Sequence, residues 1–245
     1  MKITFFFRKR KSGYNSIEEV FNTIIPIIGS SHQTNRITAP CQSTILGVIP
    51  NWLYTFWRRA DIIHITGDAH YLGLFSKSPL VITVHDLASI FRSKSILNTF
   101  KKWLWVNGPL KRAAQVVAIS ENTRNEISQM LPEVDHKTTV IPNPISSLFK
   151  FSPKKSMNET PIILHIGTAT HKNLVKVINA IADQKVELII LGMLSSPQKQ
   201  LLDETFMAYQ NFSGLTYEEV YQLYLKADII SFPSEYEGFG MPIIE

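Results

Sequence analysis

Near the end of this 245-residue sequence, one segment gathers residue types able to do chemistry: Ser231-Phe232-Pro233-Ser234-Glu235-Tyr236-Glu237-Gly238-Phe239-Gly240-Met241-Pro242-Ile243-Ile244-Glu245. It reads as a strand end, a loop with two glycines, and a helix opened by Pro242. Gly238 and Gly240 let a ligand approach the backbone closely, and free N–H groups at a helix start favour anionic or hydroxyl-rich groups. Glu237 lies in the loop. Glu245 falls about one turn into the helix, where side chains lean back toward the N-terminus. Two carboxylates converging on one pocket are good acceptors for paired sugar hydroxyls. Either glutamate alone reads equally well as a solvated turn or helix residue, so the weight rests on their joint spacing.

A second constellation is Gly167 at a strand end followed by Lys172. A cation in the first turn of a helix opposes the macrodipole unless an anion is present, so the pair reads as a diphosphate site or as an exposed lysine on a helix shoulder. It is not a P-loop, because His171 precedes the lysine and Asn173 follows it. His85 follows the apolar run Leu80 to Val84, at the carboxyl end of a strand, where it can hydrogen-bond a substrate or simply the fold. His64, Asp68 and His70 do not match a zinc spacing. His64 reads as structural, while Asp68 and His70, after Gly67, are placed to line the acceptor side. No metal is expected. The basic run Arg8-Lys9-Arg10-Lys11, ahead of Gly13, is either a solvated loop or an attractor for diphosphate or phospholipid.

The elements that must position these residues alternate between short apolar runs and amphipathic segments of helical length, which predicts an α/β fold with parallel sheets. Strands are expected over Lys2 to Phe7, Ile45 to Ile49, Asp61 to Thr66, Leu80 to Val84, Gln115 to Ile119 and Thr138 to Ile141. Ser16 is expected to cap a first helix, Ser95 to Asn107 to form another, and Ser120 to cap Glu121 to Met130. The Pro-, Ser- and Asn-rich stretch from Pro142 to Pro161 reads as a linker. A second alternation follows: strand Ile162 to Ile166, helix Lys172 to Asp183, strand Val186 to Leu191 and helix Pro197 to Tyr209. A helix with a capping box at Thr216 and a strand Asp228 to Phe232 complete it.

Composition sets the outer bounds. With 44% hydrophobic and 18% charged residues the chain is neither disordered nor fibrous. A net charge of +5 suits an anionic ligand or surface and is too weak to argue for nucleic acid. Cys41 is the only cysteine, which excludes an intrachain disulfide and agrees with a reducing, cytoplasmic setting. Pro26 and Pro50 interrupt the longest uncharged runs, so no membrane-spanning helix is expected. Lys101-Lys102-Trp103-Leu104-Trp105, with Lys111-Arg112, mixes basic and aromatic residues as interfacial helices do, and core packing of the two tryptophans is the competing reading.

Glu237-Gly238-Phe239-Gly240 through Glu245 resembles the E-x7-E signature of retaining glycosyltransferases of family 4, which have the GT-B fold of two Rossmann-like domains facing across a cleft. The likeness extends through His64-Ile65-Thr66-Gly67-Asp68-Ala69-His70-Tyr71, Thr83-Val84-His85-Asp86-Leu87, Ala118-Ile119-Ser120-Glu121-Asn122-Thr123, Ile141-Pro142-Asn143-Pro144 and Gly167-Thr168-Ala169-Thr170-His171-Lys172-Asn173-Leu174. The resemblance implies an N-terminal acceptor-side domain over residues 1–150, a linker over 151–160 and a partial C-terminal nucleotide-sugar-binding domain over 161–245, so that the second domain is expected to be incomplete. It implies that Glu237 holds donor hydroxyls near the reacting carbon and that Glu245 accepts from the nucleotide ribose. Gly238, Phe239 and Gly240 would contact the sugar or diphosphate, together with Lys172, Gly167 and Thr168. His85 would lie close to the transferred sugar, and Gly13 would be the close-approach glycine of the first loop. Such enzymes commonly carry an arginine soon after the strand's glycine, where this sequence has Thr168, Ala169 and Thr170.

The implied activity is transfer of a sugar, with retention, from a nucleotide-diphosphate donor to a saccharide or lipid-linked acceptor in surface polysaccharide synthesis. No cofactor or metal would be required, and the setting would be cytoplasmic, with peripheral contact at the inner face of the cell membrane. A competing reading is a C-terminally truncated, non-catalytic remnant, because the second sheet and its last helix look unfinished at Glu245. Another is a nucleotide-sugar epimerase on the same fold. A dehydrogenase is disfavoured, since no G-x-G-x-x-G follows the first strand.

Overall fold

The structure, a computed structural model, describes residues 1–9, 16–87, 96–154, 156–205 and 208–245, with the backbone alone at residues 16 and 96–98. The chain divides into two units, Met1–Pro144 and Ile145–Glu245.

Unit 1 is built on six parallel strands: β1 Lys2–Phe7, β2 Gln33–Thr38, β3 Ile62–Ile65, β4 Leu80–Val84, β5 Gln115–Ala118 and β6 Thr138–Val140, in the order β2-β1-β3-β4-β5-β6. Phe5, Phe6, Ile63, Ile65, Leu80, Ile82 and Val84 are all buried, as continuous apolar strands must be when helices cover both faces. Between them run α1 Ser16–Gly29, α2 Ile45–Phe56, α3 Ile96–Lys102, α4 Gly108–Arg112 and α5 Glu121–Met130. Phe21 of α1 packs on Phe5 and Phe7 at ring separations of 6.0 and 5.9 Å. Ser120 caps α5, its hydroxyl accepting from the Thr123 N–H at 3.1 Å. β1 pairs on one side with β2 and on the other with β3, so the strand order reverses there and opens a crevice at the carboxyl ends of β1 and β3.

Two expectations fail in unit 1. Ile45 to Ile49 is helical, not extended: Thr44 caps α2 by accepting from the Gly47 N–H at 3.3 Å. A five-residue apolar run has no period of its own, and the cap together with the buried positions Val48, Asn51 and Thr55 decides the matter. β2 was not expected at all, because Ile37 is its only buried residue and the polar remainder suits an exposed edge. Pro26 and Pro50 lie inside α1 and α2. Among the described residues no helix is long and apolar enough to cross a membrane.

Unit 2 has four parallel strands, β7 Ile162–Ile166, β8 Glu187–Leu191, β9 Tyr209–Phe212 and β10 Ile229–Ser231, in the order β10-β7-β8-β9. Its helices are α6 Leu174–Ile181, α7 Ser196–Glu204, α8 Tyr217–Lys226 and the short α9 Met241–Ile244. Leu174, Ile178, Leu188, Ile190 and Leu202 form one core, and Leu164, Ile189 and Ala227 another. The Thr216 capping box forms, with the Thr216 N–H donating to Glu219 at 2.7 Å. The segment read as a linker is bound to this unit: the buried carboxylate of Asp228 takes Lys154 Nζ at 2.6 Å, Asn158 Nδ2 at 2.8 Å and the Ile162 N–H at 2.8 Å.

Here, too, two boundaries differ. The helix expected from Lys172 begins at Leu174, because Asn173 takes a left-handed φ of 58° and separates it from a short 3-10 turn over Thr170–Lys172. The helix expected to run to Tyr209 ends at Glu204, and Tyr209 opens the edge strand β9.

Candidate functional site

In unit 2 the strand order reverses between β7 and β10, with Ser231 opposite His165 near their carboxyl ends. Gly167 follows β7 at φ +93°, and a Cβ there would lie 3.0 to 3.2 Å from three side-chain carbons of Lys172. The glycine therefore provides both the turn and the room for the lysine chain. The loop after β10 is tied to the turn after β7 by three contacts. Asn173 Nδ2 donates to the Pro233 carbonyl at 2.8 Å, the Glu235 N–H donates to the His171 carbonyl at 3.0 Å, and Lys176 Nζ reaches Glu235 at 2.9 Å. Those ties bring Lys172 Nζ onto Glu237 Oε1 and 5.1 Å from the centre of the Phe232 ring. The two side chains are 18% and 26% exposed, so the charges are fixed by their surroundings yet still open to an incoming ligand. Beneath them His165 is buried, with Nδ1 3.2 Å from Ser231 Oγ. Burial, with the nearby Lys172 charge adding to it, lowers its pKa to about 4, so a neutral ring backs the lysine at neutral pH.

Around this pair the other candidates take separate places. Thr168 turns away: its hydroxyl donates to the Met193 carbonyl at 2.6 Å and its own carbonyl accepts from Gln198 Nε2 at 2.8 Å. Gly240, at φ +86°, starts α9, while Gly238 and Phe239 are half-buried. Glu245 is held by two phenols, Tyr217 on Oε1 and Tyr224 on Oε2, the latter at 2.7 Å. Phe149 meets the rings of Tyr217, Tyr221 and Tyr224 edge-on at 5.2 to 5.4 Å and fixes their orientation. Burial and the adjacent carboxylate push the Tyr224 hydroxyl well above the usual tyrosine range.

At the crevice of unit 1, Arg8 follows β1 and forms an ion pair with Asp68, while its Nε lies 3.4 Å from Glu18 of α1. Glu18 is buried, and its Oε2 has no partner among the described residues, leaving one strong acceptor unused. His85 is buried and its Nε2 lies 2.9 Å from the Thr66 carbonyl. A carbonyl only accepts, so Nε2 carries the proton and Nδ1 the lone pair. His64 contacts Thr83 Oγ1 at 2.8 Å and packs against the rings of Phe5 and Phe21. His70 is buried with its two ring nitrogens 3.2 and 3.3 Å from the carbonyls of Trp105 and Thr83. Burial lowers the pKa of His64 and of His85 to about 4, so these two rings are neutral at neutral pH, and burial also lowers that of His70. Among the described residues no group of three or more His, Cys, Asp or Glu is placed to hold a metal ion.

Two family models match the chain. Residues 15–147 match Glycosyltransferase Family 4, and residues 148–245 match Glycosyl transferases group 1. The chain belongs to glycosyltransferase family 4. A curated relative, the O-antigen chain mannosyltransferase RfbU of Salmonella typhimurium, is 26% identical over 209 residues, covering 79% of this chain and 58% of the relative. The chain thus spans less than two thirds of the length of that relative. Among solved structures, HepE of Anabaena in complex with UDP and glucose aligns with a TM-score of 0.71 at 18% identity, covering all of this chain and 77% of that one. The lipopolysaccharide outer core galactosyltransferase WaaB in its apo form aligns at 0.62 and 15%, again covering all of this chain and 77% of the other. Both likenesses show the GT-B fold.

In family 4 terms, the structure brings Glu237, Lys172 and Gly167 together and holds Glu245 by the tyrosines of α8. It pairs Asp68 with Arg8 and buries His85 and His70. Gly13 lies outside the described residues. Lys172 lies just before the residue that opens α6 and not in the helix's first turn, and its charge meets Glu237 and the Phe232 ring. Sequence reasoning missed Phe149, Tyr217 and Tyr224 around Glu245, and Glu18 beside Arg8. Glu18 lies in the first turn of α1, where an acid is favourable whether or not it is buried, and nothing in its local pattern signals burial, because its partner Arg8 follows β1.

Proposed function

We propose that this chain is a retaining hexosyltransferase that moves a sugar from a nucleotide-diphosphate donor to a saccharide or lipid-linked acceptor in surface polysaccharide synthesis, on the cytoplasmic side. The observation that carries this reading is the Lys172–Glu237 pair at the reversal between β7 and β10. A donor diphosphate entering there would take the Lys172 ammonium, releasing Glu237 to accept hydrogen bonds from donor sugar hydroxyls. As the bond from the anomeric carbon to the diphosphate oxygen breaks, negative charge grows on the leaving group, and a fixed cation stabilises it without a metal. Gly167, Thr168, Gly238, Phe239 and Gly240 shape the approach to the diphosphate and sugar, and Glu245, oriented by Tyr217 and Tyr224, is assigned to the nucleotide ribose. His85 would face the transferred sugar through its Nδ1 lone pair, with Asp68 and His70 on the acceptor side and Gly13 assigned to the donor. A nucleotide sugar bound in the relative HepE and an O-antigen mannosyltransferase among the relatives agree with this class. The chain would act without a cofactor or nucleic acid, and a lipid-linked acceptor would bring it to a membrane surface.

Calorimetric titration with UDP, GDP and ADP tests the proposal. Binding of at least one nucleotide, lost in Lys172→Met, is expected. Absence of binding to all three would overturn it. Incubating the preferred nucleotide sugar with and without acceptor then separates transfer from epimerisation.

A further inference from the structure

The two sheets repeat one arrangement. In unit 1, Arg8 follows β1 and Asp68 follows β3, its neighbour across the reversal of strand order, and the two form an ion pair. In unit 2, Lys172 after β7 meets Glu237 after β10 in the same way. The cations are alike in burial, with side chains 16% and 18% exposed. Asp68 is 53% exposed, which makes it the member of its pair that a ligand can draw away.

What stands behind each cation differs. Lys172 is backed by the neutral ring of His165, so it keeps a full positive charge once Glu237 turns to a ligand. Arg8 is backed by Glu18, a carboxylate 1% exposed whose Oε1 lies 3.4 Å from Arg8 Nε and whose Oε2 meets no donor among the described residues. Both oxygens share one carbon, so the unused acceptor lies beside the guanidinium. Gly67 makes this approach possible. A Cβ there would come within 2.9 Å of Ile17 Cδ1 and 3.6 Å of His85 Cδ2, so its absence lets the first turn of α1 close on the end of β3. Strong arginine–carboxylate bridges are frequently bidentate, whereas Arg8 gives Glu18 its Nε–H and turns a terminal nitrogen to Asp68. A buried carboxylate used at one oxygen is costly, and packing alone does not account for it.

Charge decides what such a crevice accepts. Among the described residues Arg8, Glu18 and Asp68 sum to −1, and Lys9 is turned away, its Nζ donating to the Pro40 carbonyl at 2.9 Å. If Asp68 swings to a ligand, Arg8 and Glu18 together carry no net charge. The arginine then offers N–H donors without attracting an anion, and His85, which feels the charges of both Asp68 and Arg8, is neutral as well. An incoming carboxylate or phosphate would meet Asp68 and a cation already compensated from behind. A neutral hydroxyl group finds an acceptor in Asp68 and a donor in Arg8.

We propose that Glu18 determines specificity: by compensating Arg8 from behind, it sets the unit 1 crevice to receive an uncharged, hydroxyl-bearing sugar and to reject a uronate or a phosphorylated sugar. This rests on the reading of unit 1 as the acceptor side and names the class of acceptor. Arg8 and Asp68 touch the sugar, and the buried Glu18 acts through Arg8 as a positioning residue.

Saturation-transfer NMR on the full chain tests it with methyl gluco-, galacto- and mannopyranosides, each against the matching uronate, in which a carboxylate replaces the C6 alcohol. At least one neutral glycoside should bind, and its uronate about tenfold or more weakly. Glu18→Gln leaves Arg8 uncompensated from behind and should close or invert that ratio. Asp68→Asn, at a half-exposed position that does not threaten folding, should weaken the neutral glycoside about tenfold. The ratio is the deciding measurement, since a loss of folded protein lowers both signals alike. No neutral glycoside bound, a uronate bound as tightly as its neutral partner, an unchanged ratio in Glu18→Gln, or an unchanged affinity in Asp68→Asn would each overturn the proposal. Nucleotide titration, run separately, judges sugar transfer: absence of nucleotide binding would strike that reading, while the glycoside ratio stands or falls on its own result.

Discussion

Lys172 and Glu237 lie 65 positions apart in sequence and form one ion pair, because the strands that deliver them, β7 and β10, are neighbours in the sheet. Each residue sits just past a strand's carboxyl end, and the ties between the two loops, through Asn173, Glu235 and Lys176, make their meeting a property of the fold and not of chance side-chain reach. Opposite charges so placed remain hydrated enough to exchange partners, which is what a site for an anionic, hydroxyl-bearing donor requires.

The two members of the pair should fail differently. Lys172→Met removes the cation assigned to the diphosphate, and nucleotide affinity should fall by about 10- to 100-fold, equivalent to about 1.4–2.8 kcal/mol. Glu237→Gln keeps the shape and loses the charge, so transfer should slow by roughly two orders of magnitude or more while nucleotide affinity changes only a few-fold. Calorimetry and product formation read the two effects separately. Equal losses in both measurements for both variants would contradict the division of roles.

Gly167→Ala should damage the site without removing any functional group. A left-handed φ costs a residue with Cβ about 1–2 kcal/mol, and the added carbon meets the Lys172 chain at about van der Waals contact or closer. A lower thermal midpoint and a nucleotide affinity reduced about tenfold are expected, measured by thermal unfolding and calorimetry.

Acid should unfold the protein through its histidines. His64, His85 and His165 have native pKa values near 4 against 6.5 for a free imidazole, chiefly through burial. With native pKa values depressed, the unfolded chain binds more protons. Stability from this source is therefore full above pH 6.5 and declines as pH falls through 6.5 toward 4. For His64 or His85 the loss by pH 4 is roughly 3 kcal/mol. Urea midpoints between pH 8 and pH 4 measure it, and His85→Gln should flatten part of the slope. A midpoint independent of pH across that window would contradict the buried neutral state.

Asn51→Ala should be among the most costly single changes in unit 1. It leaves the Cys41 N–H, the Cys41 carbonyl and the Tyr71 hydroxyl short of their buried partner, a loss of roughly 2–4 kcal/mol measurable by urea denaturation. Replacement of the outward Leu53 by Ala, with the side chain already in solvent, should move the same midpoint by less than about 0.5 kcal/mol.

The contrast between those two residues shows where sequence reading reached and where it stopped. Leu80–Val84 and Ile162–Ile166 coincide with their expected strands because a doubly covered parallel strand is apolar at every position, and Ser120 and Thr216 announce their helices by caps that are local in sequence. Ile45 to Ile49 misled because Ile45, Leu46 and Ile49 point outward and only Val48 enters the core, so most of the hydrophobicity there records a surface. β2 and β9, polar edge strands, carried no apolar signal to read. At the site, Glu237, Gly167 and Lys172 were legible from residue type beside a turn. The tyrosines on Glu245 were not, since Tyr217 and Tyr224 are 28 and 21 residues away and nothing near them predicts the contact.

The order of the second sheet also has a consequence for biosynthesis. Because β10 pairs with β7, the first strand of unit 2 has one edge open while β8 and β9 are already in place on the other. As the chain leaves the ribosome, unit 1 can close first, and the remaining strand of unit 2 and the Lys172–Glu237 contact form only after more than sixty further residues have emerged. A nascent chain can therefore hold a closed unit 1 before it has a place for a nucleotide, so that the first possible turnover waits for β10 to join its sheet.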